Sequence, residues 1–185
     1  MPYYPKIRGS RVYLSPIDVA DAPQYVEWLN DMEVAENLMV SGMMISMSNE
    51  PEFLAGLAKK HTYGIVDAAT DSLIGNCGLD SIDQLNGTAE AGIFIGSKAH
   101  WGRGYGSEAL TALVGYGFDF LNLHAIYLRV YGCNQRAIRS YERAGFKHAG
   151  RLRKAICLKG SRHDLLYMDI TREDAAPAQA FEPSP

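Results

Sequence analysis

The chain has few cysteines, no excess of basic residues and no long apolar run. Three of its 185 residues are cysteine, namely Cys77, Cys133 and Cys157, and no two of them form a C-x-x-C pair. This scatter argues against a disulfide framework and against a structural zinc site, and it is ordinary in a reducing cytoplasm. We therefore expect free, mostly buried thiols, no metal site and a cytoplasmic location.

Charge and hydropathy argue against two classes of partner. Eighteen lysines and arginines stand against 21 aspartates and glutamates, which gives a net charge of −3. A chain of this charge has no basic field for nucleic acid or for an anionic membrane. No stretch approaches the roughly 18 uninterrupted apolar residues of a spanning helix, and the N-terminus lacks an apolar signal core. We expect no nucleic-acid and no membrane partner.

Proline is absent between Pro51 and Pro177, and this gap marks out the domain. The chain length suits one globular domain that buries enough surface to fold without cross-links. The closing run AAPAQAFEPSP is rich in alanine and proline and has no periodicity, which is typical of a mobile tail. The sequence predicts one domain over residues 8–170 and a flexible tail over residues 171–185.

Hydrophobic patterns predict a mixed α/β (α+β) fold with a seven-stranded, mostly antiparallel sheet flanked by helices. The second, third and fourth strand candidates form an antiparallel meander with a hairpin turn at Asn86-Gly87. The segment SGMMISM is predicted as core filling, with a flexible substrate-binding surface as the alternative. Helices are predicted after Pro16, after Ser48, over 107–121 and from Asn134 to Gly145. The predicted strands are RVYL, HTYGIVD, SLIGNCGLD, TAEAGIFIG, AIYLRVYG, FKHAGRLRKAICL and DLLYMDI.

The run WGRGYGSEA has three glycines at alternate positions, Gly102, Gly104 and Gly106, in front of a predicted helix. Glycines let backbone N–H groups crowd toward one point, and the free amides and positive dipole end of a helix add to them. Such a loop can hold phosphate oxygens, with charge from the side supplied by Arg103. A tight structural loop is the alternative interpretation of the same run.

Two common nucleotide-binding motifs do not fit this loop. GYGSEA matches G-x-G-x-x-A, but it follows an antiparallel meander, and seven residues separate its first glycine, Gly104, from the strand end at Gly96. The acid expected about 20 residues later is also missing. A Walker A loop would need Gly-Lys followed by Ser or Thr. A nicotinamide-dependent enzyme is therefore the weakest of the alternatives.

The run EAGIFIGSKAHWGRGYGSEA, followed by NQRAIRSYERAGF, resembles the GNAT superfamily of acetyl-CoA-dependent N-acetyltransferases. The pyrophosphate loop of that family reads Gln/Arg-x-x-Gly-x-Gly/Ala. Gly104 and Gly106 match its two small positions, and Trp101 replaces the Gln or Arg. Trp at this place and the closing stretch HAGRLRKAICLKGSRHDLLYMDI are similar to the subgroup of ribosomal-protein and spermidine acetyltransferases. The resemblance implies a GNAT-like fold with acetyl-CoA as cosubstrate.

The resemblance also implies where acetyl-CoA binds. In the family, the acetyl carbonyl and the pantetheine bond to backbone amides of the strand before the glycine loop, which here means Ile93, Phe94 and Ile95. Asn134 is implied to contact the cofactor, with a plain helix N-cap as the alternative. The implied loop contacts are Trp101, Gly102, Arg103, Gly104, Tyr105, Gly106 and Ser107.

Acetyl transfer to an amine requires an uncharged amine, stabilisation of an oxyanion and a proton for the departing thiolate. The resemblance implies that Tyr141 protonates the CoA sulfur. The alternative for Tyr141 is a half-buried helix aromatic with its hydroxyl in water. Glu90, at the start of the strand that meets the acetyl group, is the candidate base, acting directly or through a water.

Four other carboxylates have alternative interpretations. Asp80 and Asp83 could replace Glu90 as the base or could simply cap their turn. Glu33 and Glu36 could attract a cationic amine or could be surface charge. A covalent route through Cys133 is disfavoured, because no adjacent base is evident.

The sequence thus predicts an enzyme that moves an acetyl group from acetyl-CoA to a primary amine by direct attack in a ternary complex. The acceptors implied are protein N-termini, polyamines and other small amines. The alternative function is a non-catalytic acyl-CoA-binding or regulatory module. A homodimer stays open, because edge strands near the C-terminus could pair between subunits.

Overall fold

One continuous sheet of eight strands organises the chain in the computed structural model, which describes residues 3–175. The strands lie in the order β1-β2-β3-β4-β5-β6-β8-β7. The strands are β1 (Ile7–Arg8), β2 (Val12–Pro16), β3 (His61–Asp67), β4 (Ser72–Asp83), β5 (Thr88–Ile95), β6 (Ala125–Tyr131), β7 (Lys147–Leu158) and β8 (Ser161–Thr171). The helices are α1 (Ala22–Asn30), α2 (Met32–Ala35), α3 (Glu50–Leu57), α4 (Tyr105–Phe120) and α5 (Gln135–Arg143).

The predicted fold class is confirmed, with one strand more than predicted. The additional strand is β1, which pairs with β2 through two residues. Two residues carry too little alternation for a strand to be recognised in the sequence. The predicted meander β3-β4-β5 is present, and Gly87 turns between β4 and β5 with a φ of +64°. Gly145 follows α5 with a φ of +96°, as a glycine after a helix end does.

Two apolar clusters hold the helices on opposite faces of the sheet. The larger cluster includes the buried face of α4, and Ile93 and Ile95 of β5 pack against it. The smaller cluster contains Tyr25 of α1 and Leu54 of α3, and Phe94 packs against that one. Successive residues of a strand point to opposite faces, so β5 runs between the two clusters.

Strands β5 and β6 pair over only three residues and then separate. Thr88, Ala89 and Glu90 face Ala125–Tyr127 in parallel, the one parallel pairing among residues 3–175. Beyond Glu90, β5 continues beside β4 and β6 continues beside β8. Alternate residues of an antiparallel pair exchange hydrogen bonds, so the remaining backbone groups of residues 91–95 face the gap. This gap positions the site described below.

The methionine-rich segment lies at the surface, so its prediction as core filling is wrong. Met43 is 62% exposed and Met44 is 95% exposed. Between the methionines, Ile45 is held by the side chain of Asn30, which donates to its carbonyl oxygen at 2.7 Å and accepts from its N–H at 3.1 Å. The segment is thus fixed by hydrogen bonds between the Asn30 side chain and the Ile45 backbone, and not by burial of its methionines.

The cysteines are free, as predicted, but only one of them is buried. Cys77 lies in the middle of β4, and burial raises the pKa of its thiol. Cys133 lies in the turn between β6 and α5, and Cys157 lies on the edge strand β7, and both are exposed. The expectation of mostly buried thiols is therefore wrong.

The predicted tail begins inside the described part of the chain. Arg172 donates to the carbonyl oxygen of Leu123 at 3.0 Å and also bonds the carbonyl oxygen of Phe118. Residues 176–185 lie outside the described residues, so the tail and the domain boundaries stay predictions. No helix within residues 3–175 has the length and apolar character needed to cross a membrane.

Candidate active site

A cavity of about 360 Å³ opens where β5 and β6 separate. Its walls are β5, the end of β6, the glycine loop and α5, and the segment after α2 and the β7–β8 hairpin stand at its mouth. Two predicted cofactor residues, Arg103 and Tyr105, do not line it. The predicted residues that line it are Glu90, Ile93, Phe94, Ile95, Trp101, Gly102, Gly104, Gly106, Ser107, Asn134 and Tyr141.

The glycine loop leads directly into the free amides of α4. Gly102 and Gly104 have φ values of +72° and +86°, a region that L residues rarely adopt. Gly104 is the N-cap of α4, and no side chain caps this helix. The first N–H groups of α4 therefore have no intrahelical partner at a point where Gly104, Gly106 and Ser107 line the cavity. The arrangement suits an anion.

The loop is held from behind by an ion pair between Arg11 and Glu108. Glu108 accepts from the Arg11 backbone N–H at 2.6 Å and from its Nε at 2.9 Å. Burial raises the pKa of the Glu108 carboxyl, but the hydrogen bonds from Arg11 outweigh it and hold this pKa below its usual value. Arg11 Nη1 also donates to the carbonyl oxygen of Arg103 at 3.0 Å. Arg103 thus contributes its backbone to the loop, while its side chain is exposed.

Trp101 joins the glycine loop to the end of β5, and its ring packs against a guanidinium from α5. Its Nε1 donates to the carbonyl oxygen of Ile95 at 2.7 Å, and the guanidinium of Arg136 lies 3.7 Å from the ring centroid. Arg136 lines the cavity. Tyr105 instead packs beside His100 and under Arg11, with a ring distance of 4.9 Å in each case.

Helix α5 is capped at its N-terminus and is joined to the first turn of α4 by a side-chain hydrogen bond. The Asn134 side chain accepts from the Ala137 N–H at 3.1 Å, which confirms the N-cap interpretation, and Asn134 also lines the cavity. The hydroxyls of Ser107 and Ser140 lie 2.9 Å apart and join α4 to α5. The helix that carries Tyr141 is therefore tied to the glycine loop.

Tyr141 lines the cavity from α5 and is partly buried. Burial raises the pKa of its phenol to about 12, so the hydroxyl stays protonated at neutral pH. Its ring packs 6.4 Å from that of Phe146. A protonated phenol in a cavity wall can donate a proton to a leaving group.

The Glu90 carboxylate, which lines the cavity, forms an ion pair with a guanidinium. Arg129 Nε donates to its carboxylate at 2.6 Å, and Arg129 also lies 4.0 Å from the sulfur of Met39. The predicted base is therefore ion-paired. The pairing comes from β6, the strand beside Glu90 in the parallel register.

The four alternative carboxylates are all engaged elsewhere. Asp83 accepts from the N–H groups of Leu85 and Asn86 and so caps its turn. The other three form ion pairs, Asp80 with Lys60, Glu33 with Lys98 and Glu36 with Lys159. Within the described part of the chain, no group of three or more His, Cys, Asp or Glu side chains is placed to hold a metal ion.

Comparison with known proteins settles the family of this fold and site. Residues 11–147 match the family described as the acetyltransferase (GNAT) domain. The chain belongs to the GNAT acetyltransferase family. This membership confirms the predicted class, an enzyme that transfers an acetyl group from acetyl-CoA to an amine.

Several GNAT relatives are similar over most of the chain. The N-acetyltransferase p20 of Bacillus licheniformis is 32% identical over 90% of this chain and 96% of its own length. The spermidine N-acetyltransferase of Vibrio cholerae, solved with CoA and spermine, has a TM-score of 0.78 at 25% identity over 89% of this chain and 98% of its own. A ribosomal L7/L12 alpha-N-protein acetyltransferase, solved with CoA, shares the fold with a TM-score of 0.80 at 20% identity over 92% and 99% of the two chains.

Sequence reasoning missed part of the GNAT cavity. Arg136 and Ser140 are four residues apart on α5, so they share a helix face with each other, but neither is at helical spacing from Tyr141. Arg129 lies on β6, and only the parallel register with Glu90 brings it into place. Leu38 and Met39 come from the irregular segment after α2, for which no sequence signal pointed to the cavity.

Proposed function

We propose that acetyl-CoA binds with its pantetheine in the gap between β5 and β6 and its pyrophosphate on the glycine loop. The separation of the two strands after Glu90 carries this proposal, since it leaves backbone donors of residues 91–95 free beside the cavity. Gly102–Ser107 and the first amides of α4 would hold the pyrophosphate, with Trp101 and Arg136 at its side. Asn134 would contact the cofactor from the start of α5.

The backbone of Ile93, Phe94 and Ile95 would orient the acetyl group in the proposed complex. An N–H donor aimed at the carbonyl oxygen stabilises the negative charge that develops there during attack. The Ile95 carbonyl is already occupied by Trp101, which fixes the end of the strand. The neighbouring side chains Ile93 and Ile95 pack against the core, so the strand is rigid where the acetyl group would lie.

In the proposed reaction the amine attacks the thioester carbonyl directly, in a ternary complex. The carbon–sulfur bond breaks, and the departing thiolate takes a proton from the phenol of Tyr141. Before the attack, the acceptor ammonium gives one proton to Glu90 through a water, since the Glu90 carboxylate is already engaged by Arg129 Nε at 2.6 Å. The nitrogen loses its second proton to solvent as the amide forms, and solvent then reprotonates Tyr141 and takes the proton from Glu90, so that each turnover releases one proton.

The acceptor in this proposal is a primary amine. The spermidine acetyltransferase relative, solved with spermine, supports a primary amine as the class of acceptor. The homodimer stays a prediction, and sedimentation measures it directly. The cytoplasmic location also stays a prediction, which imaging of the tagged full chain would test.

Thiol release together with ligand binding tests the proposal. Acetyl-CoA at about 100 times its Kd should stabilise the fold by roughly 2.7 kcal/mol, whereas NAD should not stabilise it. We expect CoA thiol to appear only when acetyl-CoA and an amine are both present. Stabilisation by acetyl-CoA without thiol release from any amine would favour the alternative, a non-catalytic acyl-CoA-binding module. No stabilisation by any CoA compound would contradict the cofactor assignment.

A further inference from the structure

The β7–β8 hairpin concentrates positive charge in an acidic chain. Residues 147–171 contain six lysines and arginines and two aspartates, whereas the whole chain has a net charge of −3. Three of these six cations are paired within the described residues, namely Lys147 with Asp174, Arg151 with Asp164 and Lys159 with Glu36.

The other three cations of the hairpin are exposed. Arg153, Lys154 and Arg162 form no ion pair with a carboxylate of residues 3–175. Strand β7 is the last strand of the sheet, and no strand of the described chain covers its outer side. The hairpin therefore presents uncompensated positive charge to solvent along one edge of the molecule.

A bulge in β7 pushes two of these cations outward. The register shifts between Leu152 and Ile156, so residues 153–155 lie opposite the single residue Asp164 of β8. Lys154 has a φ of +53°, a conformation that L residues rarely adopt, and its N–H donates to the Asp164 carboxylate at 2.9 Å. Bulges of this kind occur at sheet edges and beside active sites, where they redirect side chains.

The bulge ends at the cavity. Ile156, the first residue after it, lines the cavity together with Leu165 of β8. A strand rises about 3.3 Å per residue, so the backbone of Lys154 lies within about 7 Å of that of Ile156. An extended chain that leaves the cavity past Ile156 therefore needs only about two more residues to come alongside the bulge.

Among residues 3–175, Glu90 is the one carboxylate that lines the cavity, and it is ion-paired with Arg129. A polyamine carries further ammonium groups, and each of them needs a carboxylate to replace the water that it loses. The mouth offers apolar side chains instead, among them Leu38, Met39 and Ile156.

We propose that the acceptor is the α-amino group of an acidic polypeptide, whose first residues dock on the bulge with their carboxylates on Arg153 and Lys154. This inference rests on the proposed acetyl transfer and specifies its acceptor. A nucleic acid would match the charge, but its amines are conjugated with the bases and are poor nucleophiles. An extended chain spans about 3.3–3.6 Å per residue, so acidic residues about three to six places after the N-terminus reach the bulge.

Three peptides with the same first two residues test the proposal in the full chain. They carry Glu, Gln or Lys at positions three to six, and thiol release gives kcat/KM for each beside that for spermidine. We expect the Glu peptide to exceed the Gln peptide by about tenfold at low ionic strength, and this preference should fall as salt is added. Arg153→Gln with Lys154→Gln should lower the Glu peptide to the level of the Gln peptide.

Two further variants separate docking from a general charge or folding effect. Lys6→Gln with Lys59→Gln removes the same charge at exposed residues that do not line the cavity, and it should keep the preference. Arg153→Lys with Lys154→Arg keeps the charge and should keep the preference too. Thermal unfolding of each variant in the same buffer verifies that the fold is intact.

The outcomes distinguish the docking proposal from the acetyl transfer on which it rests. Equal rates on the Glu and Gln peptides, a preference that survives Arg153→Gln with Lys154→Gln, or faster turnover of spermidine would overturn the docking proposal alone. Binding to phosphatidylserine vesicles that depends on Arg153 and Lys154, without any peptide preference, would assign the surface to a membrane and also overturn it. Thiol release from no amine at all would overturn the proposed function itself.

Discussion

Under the proposed function the cavity has a cofactor half and an acceptor half, and the two are built from different parts of the chain. The cofactor half is made largely of backbone, namely the free edge of β5, the glycine loop and the first turn of α4. The acceptor half is made of side chains from separate elements, among them Met39, Arg129, Ile156 and Leu165. One half depends on the path of the main chain and the other on which side chains meet.

This difference explains what each half tolerates. A site of backbone N–H groups keeps its donors when a side chain changes, which is why Trp101 can stand where the family has Gln or Arg. In the proposed complex, Arg136, whose guanidinium lies on the Trp101 ring, supplies the positive charge. The acceptor half tolerates fewer substitutions, because a new side chain there changes the shape or charge of the cavity mouth itself. Substitutions in the two halves should therefore change different kinetic and binding constants.

The largest effect is expected at Tyr141, which lies where the halves meet. Tyr141→Phe removes the proposed acid but keeps the ring and its packing on Phe146. We expect kcat to fall by about 10² to 10⁴, the range for a positioned acid, while KM for acetyl-CoA and for the amine changes little. Steady-state thiol release measures all three constants.

The pH dependence of the wild-type enzyme sharpens this prediction. An acid acts only when protonated, and burial raises the pKa of Tyr141 to about 12. The phenol therefore stays in its active form as the pH rises from 7 to 10, and Tyr141 should cause no loss of kcat in that interval. An unchanged kcat in Tyr141→Phe across this interval would contradict the assignment.

Glu90 tests the acceptor side of the comparison. Glu90→Gln keeps a hydrogen-bond acceptor for Arg129 but removes the group that receives the proton. We expect kcat to fall by about 10² with little change in the Kd for acetyl-CoA, which calorimetry measures.

Asp80→Asn is the matched control for this change. Asp80 lies directly opposite Glu90 in the β4–β5 register and forms an exposed ion pair with Lys60. An exposed pair contributes about 1 kcal/mol or less, and Asp80 does not line the cavity, so kcat should stay near wild type. Equal losses in the two variants would mean that strand charge, and not proton transfer, matters.

Gly104 tests the cofactor side through the backbone. Gly104→Val places a branched side chain at a φ of +86°, and its Cβ would lie 3.2 Å from the Arg11 side chain. The left-handed conformation costs an L residue roughly 1–2 kcal/mol, so we expect the Kd for CoA to rise by about tenfold. Amine KM should stay the same.

Gly106→Ala provides the comparison for Gly104. A Cβ at Gly106 would meet its nearest neighbours, Ile95 and Ser140, at 3.6 Å, which is ordinary contact. We expect CoA affinity within about twofold of wild type, since one methyl in open contact adds little strain. If Gly106→Ala weakens CoA as much as Gly104→Val does, the left-handed backbone is not the cause.

The sequence predicted the features that local patterns determine, and it did not predict those that depend on contacts between distant parts of the chain. The meander, the glycine loop and the α5 cap follow from local patterns, and the structure shows each of them. The exposed methionines did not follow, because the segment is held by hydrogen bonds from the Asn30 side chain to the Ile45 backbone and has no apolar periodicity. The Glu90–Arg129 pair did not follow either, since it depends on a parallel register between distant strands.

The smallest effect is expected where the halves are coupled through α4 and α5. The hydroxyls of Ser107 and Ser140 lie 2.9 Å apart, so Ser107→Ala or Ser140→Ala should each lower the free energy of unfolding by about 1 kcal/mol. If this hydrogen bond is the cause, the double variant should lose no more than about the larger single loss. Denaturant unfolding measures the cycle. Additive losses would show that the two serines act separately and that this hydrogen bond does not couple α4 to α5.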